Sequence, residues 1–121
     1  MAPEKRSPRM QRVGHAVHEV VADELGLIDD ERLELVTVTG VRVDPDFSRG
    51  LVWFSSLRTP DEDVIPLLGE HRVRLQAAIA RQLRLKRTPE LTFRPDPAIS
   101  AGSRVEDILR GLHTGGDATG E

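Results

Sequence analysis

Apolar residues first recur at helical spacing. Ser7-Pro8 has the form of an N-cap followed by proline at the first helical position. Met10, Val13, Val17, Val20, Val21 and Leu25 then make one stripe, with Arg12, Glu19 and Asp23 opposite. Gly14, at the edge of that stripe, leaves room for another backbone to approach. After a charged loop at 29–34, β-branched residues dominate Leu35 to Val43 and the shorter Leu51 to Leu57. Between these runs Asp44-Pro45-Asp46-Phe47-Ser48-Arg49-Gly50 has strong turn chemistry, so the two runs predict a hairpin. Helical spacing returns from Val64 to Leu85, where Val64, Leu67, Leu68, Leu75, Ala78 and Ile79 share a face. Asp63 is the expected cap of this helix, and Pro66 is expected in its first turn, where a missing N–H is harmless. Pro89 ends the pattern, and Leu91-Thr92-Phe93 predicts a third strand before Pro95 and Pro97. Ser103 and Glu106 have capping-box spacing ahead of a short helix carrying Val105, Ile108, Leu109 and Leu112.

This order predicts an α+β fold of the KH-like type II class: α-β-β-α-β, with a three-stranded mixed sheet, helices on one face and a short C-terminal helix. The helix between the second and third strands is a crossover, so the third strand runs parallel to the second. A length of 121 residues suits one domain. Its expected limits are residues 7–112, after a flexible leader at 1–6 and before a disordered tail at 113–121.

Composition narrows the function classes. No cysteine is present, which excludes disulfides and thiolate chemistry, and no apolar run approaches the length of a membrane span. A cytoplasmic protein without a membrane partner is expected. The net charge of −3 conceals segregation: residues 1–12 and 71–88 together carry +9, leaving −12 on the other 91 residues. A polyanion could dock on one surface and be repelled by another. The basic positions on this reading are Arg9, Arg12, Arg72, Arg74, Arg81, Arg84, Lys86 and Arg87, of which Arg84, Lys86 and Arg87 are the foremost candidates. Helical geometry at 100° per residue would project Arg81, Arg84 and Arg87 away from the apolar face, where they would position RNA through its phosphates. Against this stands the reading of a merely solvated helix face.

Four segments carry a family resemblance: Arg9-Met10-Gln11-Arg12-Val13, the run from Val36 to Ser48, the run from Leu83 to Phe93, and Arg104-Val105-Glu106-Asp107-Ile108-Leu109. In this order they resemble ribosome-binding factor A over about residues 8–112. The resemblance implies a KH-like domain without the Gly-x-x-Gly loop that binds the immature small ribosomal subunit near the ends of its rRNA. It also implies assistance in late rRNA maturation, especially in the cold, with no cofactor and no catalytic residue. No DNA partner and a free protein that is monomeric are expected. One departure stands out. His71-Arg72-Val73 occupies the place of the family's Ala-x-Gly kink, so either Val64 to Leu85 is one nearly straight helix or its bend moves to Gly69, the nearest helix-weakening residue. The displaced bend is the expectation, because a short sheet cannot easily cover so long a helix.

Other chemistry is weaker. His15 and His18 have a spacing that could share a metal, but Glu19 is expected to point away and a third ligand is hard to identify. The acidic runs Asp29-Asp30-Glu31 and Asp61-Glu62-Asp63 suit caps better than catalysis. Trp53 could be a base-stacking platform, yet it shares a face with Leu51 and Leu57, which favours core packing. Two alternatives remain: a protein-interaction module using the acidic surface, and a generic KH-like binder of single-stranded RNA.

Overall fold

The computed structural model describes residues 7–99. Helix α1 (Pro8–Gly26) starts at the expected cap: the Ser7 hydroxyl accepts the Met10 N–H at 3.2 Å, and Pro8 needs no partner. Val17, Val20, Val21 and Leu25 are buried along its inner face. A three-residue 3-10 turn (Glu31–Leu33) follows, capped by the Asp30 carboxylate, which accepts the Arg32 N–H at 3.0 Å.

Strands β1 (Val36–Val43) and β2 (Arg49–Ser56) pair antiparallel, and β3 (Glu90–Pro95) lies parallel to β2, so β2 is central. The turn between β1 and β2 is built as its aspartates suggest. Phe47 N–H donates to the Asp44 carbonyl at 2.8 Å, and the Asp46 carboxylate accepts from the Ser48 hydroxyl at 2.7 Å and its N–H at 3.0 Å. These bonds, the Ser48 hydroxyl foremost, hold the Asp46 carboxyl below the usual carboxylate range. A register shift between Val38 and Gly40 marks a bulge at Thr39, whose hydroxyl donates to Asp96 at 2.6 Å.

Alternation along the strands turns Val38, Val43, Val52, Phe54, Leu91 and Phe93 into one core with the helices. Trp53 lies outside that core, contrary to the packing expected from its sequence neighbours. It is half-buried on the uncovered face, while Leu57 is 79% exposed. The reason is that Leu51-Val52-Trp53-Phe54 is apolar at every position, so pattern alone cannot choose which alternate pair turns inward.

The long helix expected from Val64 to Leu85 is two helices, α2 (Asp61–Glu70) and α3 (Arg72–Gln82). Val64, Leu67, Leu68, Leu75, Ala78 and Ile79 are all buried, as their spacing predicts. The ends differ from the expectation. Pro60 precedes the first turn with no side-chain cap bond, Asp63 sits inside that turn, and Pro66 falls in the second turn, where it cannot donate to the Glu62 carbonyl. At the C-terminal end Leu83 is already extended, so Arg84, Lys86 and Arg87 stand on a loop rather than a helix. The break occurs at His71 (φ −99°, ψ 7°), two residues after Gly69, and Val73 continues α3 without interruption. It thus falls within a turn of Gly69, yet its centre is the first residue of the His71-Arg72-Val73 triplet. A straight 22-residue helix would be about 33 Å long. Splitting it lets α2 pack on β3, β2 and the 3-10 turn while α3 packs on α1. The leader, the C-terminal helix and the tail expected from the sequence lie outside the described residues.

Candidate RNA-binding surface

One end of the molecule gathers cations from three separate segments. The Arg9 guanidinium, at the start of α1, lies 6.0 Å from the Phe47 ring centroid in the β1–β2 turn. Across that turn the Ser48 carbonyl accepts the Glu90 N–H at 3.0 Å, joining the turn to the end of the loop at 83–89. Arg87 is close enough to contribute to holding Asp46 charged. Arg12, Arg84, Lys86 and Arg87 are exposed, and Arg49, at the head of β2, is exposed at the same end. Leu83 and Leu85 pack against the core, which fixes the loop while its charged residues face solvent.

The arginines of α3 have a different setting. Glu24 of α1 is only 8% exposed, and its carboxylate accepts from Arg74 Nε at 2.7 Å with Arg81 3.7 Å away. A buried carboxylate must be compensated, so these two arginines tie α3 to α1. Arg72 approaches Glu90 at 3.9 Å. The basic run at 71–88 contains no acid, but two of its arginines are matched by a carboxylate some 50 residues earlier. The structure therefore brings Arg9, Arg12, Arg84, Lys86 and Arg87 towards one end and sets Arg72, Arg74 and Arg81 apart as ion-paired side chains.

Acids collect at the other end. Arg32 bonds Asp30 through two guanidinium nitrogens at 2.9 and 2.7 Å and reaches Glu70 at 3.8 Å, while Arg58 pairs with Glu34. The bonds from Arg32 hold the Asp30 carboxyl down at about 2. Asp61, Glu62 and Asp63 occupy the first turn of α2, where carboxylates suit the helix dipole. Between these acids and the end of α1 lies a cavity of about 340 Å³ lined by Leu25, Ile28, Leu33 and Leu35 among others.

The two histidines of α1 have separate partners. His18 Nε2 lies 3.0 Å from the Val38 carbonyl, half-buried against β1, and His15 pairs with Glu19 at 3.2 Å. Glu19 thus turns towards His15, not away from it. Among the described residues no group of three or more His, Asp or Glu is placed to hold a metal ion, and no helix is long and apolar enough to cross a membrane.

Sequence reading missed Arg42, Arg49 and Arg94. The last lies on the uncovered sheet face beside Trp53, and its alternation with buried Phe93 was the available signal.

Comparison with known proteins matches a family model described as Ribosome-binding factor A over residues 9–109. This chain belongs to the ribosome-binding factor A family. Relatives of that name include one from Rubrobacter xylanophilus, 42% identical over 104 residues that span 84% of this chain and 85% of the relative. Another, from Zymomonas mobilis, is 38% identical across 92% of this chain and 82% of its own. The crystal structure of the family member from Thermus thermophilus has a TM-score of 0.67 at 32% identity, covering 71% of this chain and 93% of that one. A homology model of the Thermus thermophilus factor, fitted into the cryo-EM map of its complex with 30S, has a TM-score of 0.59 at 33% identity over 69% of this chain and 91% of that one. The α+β, KH-like architecture is thus that of the family.

Proposed function

We propose that this protein binds the immature small ribosomal subunit and assists late maturation of its rRNA, acting as a non-catalytic assembly factor. The observation that carries this reading is family membership, together with the fitting of the Thermus relative into a 30S complex. The RNA-facing end is the one presenting Arg9, Arg12, Arg84, Lys86 and Arg87. Phosphate contact needs cations that are not already neutralised, and among the described residues these five form no ion pair that binds α3 to α1 as Arg74 and Arg81 do. The acidic end would be repelled by phosphate and faces away from the rRNA. The protein is monomeric when free and works in the cytoplasm.

Changing Arg84, Lys86 and Arg87 together to Glu tests the reading by sucrose-gradient sedimentation with small subunits, with circular dichroism as the control for folding. The expected result is a folded protein that no longer co-sediments. Normal co-sedimentation of the folded triple variant would reject this end as the RNA face.

A further inference from the structure

The uncovered face of the sheet has its own chemistry. Trp53, at the centre of β2, pairs with Gly40 of β1 on one side and Arg94 of β3 on the other; the neighbouring row is Arg42, Leu51 and Thr92. By alternation these side chains share the face that the helices leave uncovered. A Cβ added at Gly40 would lie 3.5 Å from Trp53 Cε3, so the indole leans across the glycine towards the outer edge of β1. There it lines a cavity of about 330 Å³ with Met10, Gln11, Val41, Arg42 and Val43. That size falls at the lower end of small-molecule pockets, which run from about 300 to 1,000 Å³.

Three features select the occupant. An aromatic ring that lies outside the core and lines a groove offers a π-face. On this face Arg42, Arg49 and Arg94 outnumber Glu90, which sits opposite Arg49 in the register. Met10 and Gln11 lie on the same first turns of α1 as Arg9 and Arg12, so the groove is continuous with the basic end. An aromatic platform beside guanidinium groups, reached from a phosphate-binding end, suits a flexible single strand whose bases can leave the stack; a duplex keeps its bases inside.

We infer that Trp53 and the groove at the outer edge of β1 form a binding site for an unpaired nucleotide of single-stranded RNA, with the base stacked on the indole and the backbone directed towards Arg9 and Arg12. This inference rests on the RNA-binding reading above and adds to it a subsite for the base. Phosphate contact alone would leave Trp53 without a role. The site gives the protein a means of recognising RNA that has not yet paired, as a maturing subunit presents.

Trp53 is the chain's single tryptophan, so its fluorescence reports on the site directly. The full chain is titrated with an octauridine RNA, an octaadenosine RNA, an abasic strand of equal length and heparin. Saturable quenching by both RNAs, with binding of the abasic strand and heparin but little quenching, is the expected result. Trp53→Leu should weaken octaadenosine binding about 5- to 100-fold by a label on the RNA, and Trp53→Phe should restore most of it. Equal quenching by RNA and abasic strand, or unchanged RNA affinity in a folded Trp53→Leu protein, would overturn the base site while leaving the basic end intact. Loss of all binding in the Arg84, Lys86 and Arg87 triple variant, with Trp53 quenching absent in the parent protein, would also overturn it. If no RNA quenches yet Trp53→Leu and Trp53→Phe both lose subunit association, the face contacts a ribosomal protein and the inference fails.

Discussion

Helix α3 and the loop that follows it are adjacent in sequence and carry three basic residues each, yet their charges have different settings. In α3, Arg74 and Arg81 converge on Glu24, a carboxylate shielded from water, and join two helices. In the loop, Arg84, Lys86 and Arg87 stand exposed; Asp46 of the adjoining turn is hydrogen-bonded to Ser48, and Arg87 adds only a weaker through-space attraction to it. A run of like charge is therefore not a unit of function. What separates its members is whether the fold supplies an opposite charge from elsewhere.

The largest expected effect comes from neutralising each set separately. Changing Arg84, Lys86 and Arg87 to Gln should lower the log–log salt dependence of rRNA binding by about 3, roughly one per phosphate contact, with the melting temperature unchanged. Arg74→Gln with Arg81→Gln should do the reverse, lowering stability and leaving the salt slope nearly intact. Equal losses of slope in both variants would erase the distinction. Glu24→Ala removes the shared partner itself and leaves two arginines facing each other. A loss of about 1–3 kcal/mol is expected, discounted from the cost of a fully buried pair because both guanidinium groups are substantially exposed. Urea denaturation measures it; a change below a few tenths would show that the ion pairs contribute nothing to the docking of α3.

A smaller effect tests what separates α2 from α3. A Cβ at Gly69 would meet nothing within 4 Å, and the residue is helical. Gly69→Ala should therefore stabilise the protein by up to about 1 kcal/mol, since the break is at His71 and does not use the glycine. Destabilisation in the same denaturation experiment would place the flexing point at Gly69 after all. The smallest effect concerns the Asp30 cap of the 3-10 turn. The Asp30 carboxyl is lowered from 3.8 to about 2, so the folded state favours its charged form. Its contribution is complete above the unfolded value near 3.8 and is lost as pH falls through about 2. The Arg32 amide proton should titrate with a midpoint near 2 by NMR, and a midpoint near 4 would show that Arg32 does not hold the carboxylate in solution.

Much of the fold was legible because local chemistry decided it. Ser7-Pro8 set the start of α1, Asp46 and Ser48 set the turn, and helical spacing assigned all six buried positions of the second helical region. The break at His71 was harder to place, as neither glycine nor proline occupies it and the cause is packing against different neighbours. The site was legible as a charge pattern but not as a partition. Glu24 acts on Arg74 across 50 residues of sequence, which no local window contains. Trp53 was misjudged because four consecutive apolar residues in β2 carry no phase.

The contact between α1 and β1 has a consequence for the protein's behaviour in a crowded cell. An outer strand normally exposes backbone groups on which a second chain can build sheet. Here α1 lies along that margin: Gly14 lets it come so close that an added Cβ would sit 3.0 Å from the Val41 oxygen, and His18 lies within hydrogen-bond distance of the Val38 oxygen. With those oxygens covered and the strand interrupted by its bulge, intermolecular sheet growth from β1 is blocked. Gly14→Val would lift the helix away, and the first sign should be fibrillar aggregation on gentle warming, before global unfolding.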